Sequence, residues 1–143
     1  MKRVLVGGVL AGLVCLAQAQ NYNNGEDLAK FVTSEQFGSM GAGELKPIRD
    51  KVAVHLNRCV AATVKQLQTQ PNKTGVGAAQ LQRHYQVWQP YYKSACQLYA
   101  ADQGGDAAEA AASQLRCEVF SQSMFYSEVL GYQQQPLAVC QQP

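Results

Sequence analysis

The sequence has few runs of alternating apolar and polar residues, and the longest covers the six positions from Gln114 to Val119. This scarcity argues against a sheet of half-buried β-strands, in which successive side chains face opposite sides. Apolar residues recur instead at intervals of three and four, which is the spacing of one face of a helix. The sequence therefore predicts an all-α fold, a small bundle of three to four helices.

Closely spaced metal ligands are also lacking. Four cysteines follow the N-terminal segment at intervals of 37, 21 and 23 residues: Cys59, Cys96, Cys117 and Cys140. These intervals contain no zinc-type pair. The two histidines, His55 and His84, fall on different predicted helices, and no Cys-x-x-Cys-His haem motif is present,. We therefore expect neither a metal nor any other cofactor.

Catalytic motifs are missing as well. There is no Gly-x-Ser-x-Gly elbow, and the serines of the later helices lie in helix interiors, where a hydroxyl usually bonds a carbonyl one turn back,. Glu118 and Glu128 lie ten residues apart on one predicted helix, so they cannot flank a sugar as a glycosidase requires,. We expect no enzymatic activity.

Long apolar runs are confined to the N-terminus. Lys2 and Arg3 precede an apolar stretch from 4 to 16, and Ala17-Gln18-Ala19 matches a small-x-small cleavage pattern,. Residues 1–19 are therefore interpreted as a signal peptide, and the protein as periplasmic or secreted. The alternative is a lipoprotein signal with lipidation at Cys15, although the preceding Val14 is bulky for that peptidase.

The net positive charge of the full sequence comes from this N-terminal segment. Its removal leaves 124 residues, in which ten Lys or Arg balance ten Asp or Glu. A neutral chain has no electrostatic attraction to nucleic acid or to an anionic membrane, so neither is expected as a partner.

The remaining chain divides into an arm and one helical domain. Residues 20–43 are polar and rich in glycine, which predicts a flexible arm. Helices are predicted over 44–69, over 78–101 with Pro90 inside, and from a capping box at Asp106 and Glu109 to Gly131. The helical domain therefore spans 44–143.

An even number of cysteines in an exported chain indicates two disulfides, for which three pairings exist. The midpoint between Cys96 and Cys117 lies at the turn that joins the last two helices. Residues equidistant from such a turn face each other, so we expect a Cys96–Cys117 bridge. The second bridge would then join Cys59 to Cys140 and hold the C-terminal tail.

Aromatic residues are the strongest chemical feature of the last two helices. Most of them are expected to form the core, with tyrosine hydroxyls reaching the surface. Tyr91 adjoins Tyr92, and Tyr126 adjoins Phe125, so one member of each pair is expected to face solvent. Since tyrosine often anchors protein interfaces, Tyr91 and Tyr126 are the predicted partner-contact residues.

The segment 81–130 resembles the lysozyme inhibitor LprI-like N-terminal domain family. The resemblance is carried by Trp88 with Cys96 eight residues later, by the Gly104-Gly105 turn, and by Cys117 at the head of a final helix. It implies a small exported helical domain that blocks a lysozyme-type muramidase. Arginines are common in the family at the positions of Tyr92 and Phe125, so no binding residue is carried over.

The leading hypothesis is therefore an exported, non-enzymatic module that binds another protein, with a lysozyme-type muramidase as the implied partner. Two alternatives remain open. The chain could be an immunity-like protein that neutralises a toxin in the periplasm, or a structural or envelope-stress protein without an enzyme target. The sequence does not indicate an oligomeric state.

Overall fold

The computed structural model describes residues 25–70, 75–127 and 140 of the chain. Within these residues the backbone forms five helices and no strand, which confirms the predicted all-α fold. They are α1 (Gly25–Val32), α2 (Glu35–Ser39), α3 (Ala42–Thr69), α4 (Ala78–Gln103) and α5 (Ala107–Phe125). None of the five combines the length and apolar character needed to cross a membrane. The predicted signal peptide and the predicted helix end at Gly131 lie outside the described residues.

The ends of the long helices follow from local side-chain chemistry. Glu44 accepts a hydrogen bond from the Gly41 N–H at 3.0 Å, which caps α3 two residues before its predicted start. Asp106 accepts from the N–H groups of Ala108 and Glu109, both at 2.9 Å, which confirms the predicted cap of α5,. Between α4 and α5 the backbone has φ +68° at Gly104, a conformation that favours glycine,.

The described part of the 20–43 segment departs from the predicted flexible arm. Residues 25–39 form α1 and α2, and these bury Leu28, Phe31 and Phe37. The rings of Phe31 and Phe37 meet edge to face at 5.1 Å. Burial of three large side chains outweighs the backbone entropy lost at the glycines of this segment, at a gain of roughly 1.5–3 kcal/mol for each.

The core forms two layers along α3. The first layer joins α1 and α2 to the early part of α3 and to α5, through buried residues that include Leu45, Val52 and Val119. The second layer packs Leu56 and Val60 of α3 against the end of α5 and against Cys140. Because α1, α3 and α4 all contact α5, this last helix lies at the centre of the bundle.

Both predicted cysteine pairings are confirmed. Cys96 of α4 and Cys117 of α5 are bonded, with their Cα atoms 5.4 Å apart. Cys59 of α3 is bonded to Cys140, with a Cα–Cα distance of 5.0 Å. One bridge therefore links the α4–α5 hairpin, and the other holds a distant part of the chain against α3.

Candidate partner-binding site

The orientation of α5 exposes residues that its apolar pattern places inside. The sequence predicts an inward face with Cys117, Phe120 and Met124. In the structure Val119 and Gln122 are fully buried instead, while Phe120 and Met124 retain 45% and 40% of their exposure. Contacts from three helices bury a wide sector of α5 around Val119, and this leaves Phe120 and Met124 on the remaining side.

A groove of about 510 Å³ opens beside Phe120. It lies between α2, the end of α4 and the first half of α5. Its lining residues are Phe37, Tyr99, Gln103, Glu109, Ser113, Arg116, Cys117 and Phe120. We refer to it as the Tyr99–Phe120 groove, after the two aromatic residues that remain about half exposed at its edges.

Arg116 holds one side of this groove in place. Its guanidinium group donates to the carbonyl oxygens of Gly38 at 3.2 Å and Met40 at 3.0 Å. It also forms an ion pair with Glu109 and donates to the Ser113 hydroxyl at 3.3 Å. These bonds tie the end of α2 to α5. These partners largely compensate the positive charge of Arg116. Its role in the groove is therefore to hold α2 in position against α5.

The groove offers apolar and aromatic surface with few free charges. The Cys96–Cys117 bridge adjoins it and fixes the spacing of α4 and α5. Tyr99, 50% exposed, and Phe120 present ring surface together with the Tyr99 hydroxyl. Such a surface can receive an apolar or aromatic side chain from another protein, and rigid walls lower the entropy lost on binding.

The two predicted contact residues have different outcomes. Tyr91 is 70% exposed on α4, as predicted, but it does not line the groove. The prediction for Tyr126 is wrong, because Tyr126 is 8% exposed and its neighbour Phe125 is buried as well. The backbone passes from α-helix to a π-type turn after Phe125, and Cys140 covers the Tyr126 ring.

The Tyr126 hydroxyl donates to the Cys140 carbonyl at 2.5 Å, and His55 Nε2 contacts the same oxygen at 3.1 Å. The Tyr126 and His55 rings stack at 5.8 Å. Three groups from distant parts of the chain therefore meet at this point. Burial raises the pKa of Tyr126 above its ordinary value of 10.0.

A pH prediction follows from this raised pKa. Above pH 10 the unfolded chain releases the Tyr126 proton while the folded chain keeps it, so the residue's contribution to stability is lost as pH rises. Tyr126→Phe should lower the free energy of unfolding by about 1 kcal/mol at pH 7. The difference should shrink above pH 10, as measured by urea denaturation at both pH values. A constant difference across this range would contradict the assignment.

An ion pair between a partly exposed arginine and a buried glutamate links α3 to α5. Arg49 donates to Glu118 at 2.6 Å, and the Glu118 side chain is only 3% exposed. Gln114 donates to the second Glu118 oxygen at 2.9 Å. Burial disfavours the charged form of Arg49, but hydrogen bonds to Glu118 and Asp50 outweigh this and raise its pKa. The pair spans 69 positions of sequence, and no local pattern indicates it.

The two histidines contact adjacent residues at the end of α5. His55 is buried against Cys140 and stacks on Tyr126, whereas His84 is exposed and stacks on Phe125 with a ring distance of 5.7 Å. Among the described residues, no three His, Cys, Asp or Glu side chains are grouped so that they could hold a metal ion.

Neither residue of the predicted contact pair, Tyr91 or Tyr126, lines the groove. Phe120 was assigned to the core, and Arg116 has no sequence signature that marks it as a link to α2. The usable signal is the Cys96–Cys117 bridge: Tyr99 and Phe120 each lie three residues after one of its cysteines, so each is about one helical turn from the disulfide,.

The described residues form a small, disulfide-linked helical domain with a partly exposed groove between α2, α4 and α5. Comparison of the chain with protein-family models, with curated proteins and with solved structures found no match.

Proposed function

We propose that this chain is an exported, non-enzymatic binding module that acts by occluding another protein. The observation that carries the proposal is the Tyr99–Phe120 groove, with two aromatic edges on a covalently linked helix pair. Aromatic side chains dominate the energetic centres of protein interfaces. A bundle of this kind inhibits by covering a cleft, and it needs no chemistry of its own.

A lysozyme-type muramidase is the partner we propose. This choice rests on the resemblance of residues 81–130 to the LprI-like family. A side chain at the edge of the muramidase cleft would enter the groove, and the bundle would then block access of the polysaccharide. Since the chain without residues 1–19 is neutral, binding would depend on apolar burial more than on long-range steering,.

An inhibition assay with purified protein tests this proposal. Wild-type protein should inhibit the muramidase, and Phe120→Ala should weaken inhibition by about 10- to 100-fold, the usual cost of truncating an aromatic anchor. Phe120 is half exposed, so its truncation leaves the core intact. Val76→Ala is the matched control, because Val76 is 48% exposed and does not line the groove.

Two results would count against separate parts of the proposal. Full muramidase activity at inhibitor concentrations of about 50 µM would exclude this enzyme as the partner, since useful inhibitors bind more tightly than that. Equal inhibition by wild type and Phe120→Ala would remove the groove from the interface. If the muramidase were excluded and an envelope pull-down retained a delivered toxin in a Phe120-dependent way, the chain would instead be an immunity-like protein.

A further inference from the structure

The outward face of α4 carries a second apolar surface, separate from the groove. Val87, Tyr91 and Leu98 are 65%, 70% and 71% exposed, and Ser94 lies between them. These four residues follow one another at intervals of four, three and four. That spacing places them in one stripe, and it is the pattern of a seam between two packed helices.

Charged residues leave this stripe clear. Between Arg83 and Asp102, the only charged residue of α4 is Lys93. At about 100° per residue, Lys93 lies well to the side of the line through Tyr91 and Leu98. A partner could therefore approach the stripe along several turns of α4 without burying a charge.

We propose that this stripe is the interface at which a second copy of the chain packs, with its α4 antiparallel to the first. The stripe is complementary to itself in that orientation. When Val87 is level with Leu98 of the second copy, Tyr91 is level with Ser94 of the second copy. The large ring then meets a small side chain at two symmetric positions, as closed two-fold interfaces require.

Charge favours the antiparallel orientation over the parallel one. In the antiparallel register, Arg83 lies level with Asp102 of the second copy, whereas parallel helices would bring like charges level. The dipoles of the two helices also oppose each other when they are antiparallel. The interface contains one helix from each copy, so the dimer belongs to the small, reversible class.

The proposed dimer interface lies on a different face of the chain from the Tyr99–Phe120 groove, and it goes beyond the proposed function. Tyr99 follows Leu98 by one residue, so its side chain lies about 100° further round α4. Packing through Val87 and Leu98 therefore leaves the Tyr99–Phe120 groove open. A dimer would present two grooves, which a partner binds independently.

Sedimentation equilibrium on the chain lacking residues 1–19 tests the interface. Between about 1 µM and 1 mM, the range in which small interfaces assemble, the mass should rise from monomer toward dimer. Leu98→Lys should remain monomeric throughout. Val54→Lys is the matched control, since Val54 is 57% exposed on α3, and this variant should dimerise like wild type.

Cysteine cross-linking tests the register. A mixture of Val87→Cys and Leu98→Cys proteins should form a mixed cross-linked dimer, whereas each variant alone should cross-link far less. A wild-type protein that remains monomeric at the highest concentration would overturn the proposal. So would dimerisation unaffected by Leu98→Lys, or preferred cross-linking of Val87→Cys with itself.

Discussion

Replacing Arg49 with methionine is expected to lower the free energy of unfolding by about 3–5 kcal/mol, the usual cost of removing one partner from a buried ion pair. The change leaves the Glu118 carboxylate inside the bundle, where its side chain is 3% exposed, with Gln114 as the remaining hydrogen-bond partner. A domain of this size has roughly 5–15 kcal/mol of stability in total. Urea denaturation followed by circular dichroism measures the loss.

Two further variants test whether the unpaired Glu118 carboxylate causes this loss of stability. Glu118→Leu added to Arg49→Met should recover most of the lost stability, because an apolar pair can replace a buried ion pair at little cost. Lys30→Met removes the exposed Lys30–Glu26 pair of α1 and should have no measurable effect,. Equal stability of the single and double variants would refute the proposed role of Glu118.

Removal of the Cys59–Cys140 bridge is expected to cost about 4.5 kcal/mol, against about 3 kcal/mol for the Cys96–Cys117 bridge. The difference arises because the first bridge closes a loop of 81 residues and the second a loop of 21. Loss of the first also releases Cys140 from Tyr126 and His55. Replacing both cysteines of one bridge with alanine avoids leaving a free thiol. The melting temperatures and urea midpoints of the two double variants then show which bridge contributes more stability.

Chemical reduction provides the control for the two bridges. In excess reductant, wild type and both double variants should converge toward the same low stability. If the variant without the Cys96–Cys117 bridge proved the less stable of the two, loop length would not explain the difference between the bridges. Mass mapping that found Cys59 bonded to Cys96 would contradict both pairings.

The long helices and their covalent links could be predicted because their signals are local. Asp106 followed by Glu109 marks a helix start whatever the rest of the chain does. Cys96 and Cys117 are equidistant from a turn, so hairpin geometry alone pairs them, and Cys59 and Cys140 are then left for each other.

The packing of residues 25–43 could not be predicted in the same way. Its glycines favour disorder when they are considered alone, and Gly38 and Gly43 lie inside helices. What orders the segment is burial of Leu28, Phe31 and Phe37 against α3 and α5, which depends on tertiary structure.

The groove could not be predicted from the sequence for a related reason. Periodicity identifies an apolar face of α5, but the rotation of that helix depends on how many neighbours surround it. Phe120 was therefore predicted inside and lies half exposed, while Glu118 lies inside beside Arg49. Tyr126 is the opposite case, because Cys140 covers a ring that the sequence pattern places at the surface.

Hydroxyl-radical footprinting of the chain with and without a saturating lysozyme-type muramidase tests the central claim most directly. Tyr99, Phe120 and Met124 are exposed and oxidisable in the free protein, as is Tyr91 on the separate stripe. Binding through the groove should protect Tyr99 and Phe120 strongly and leave Tyr91 reactive. Unchanged oxidation of Tyr99 and Phe120 in the presence of the enzyme would contradict the proposed function.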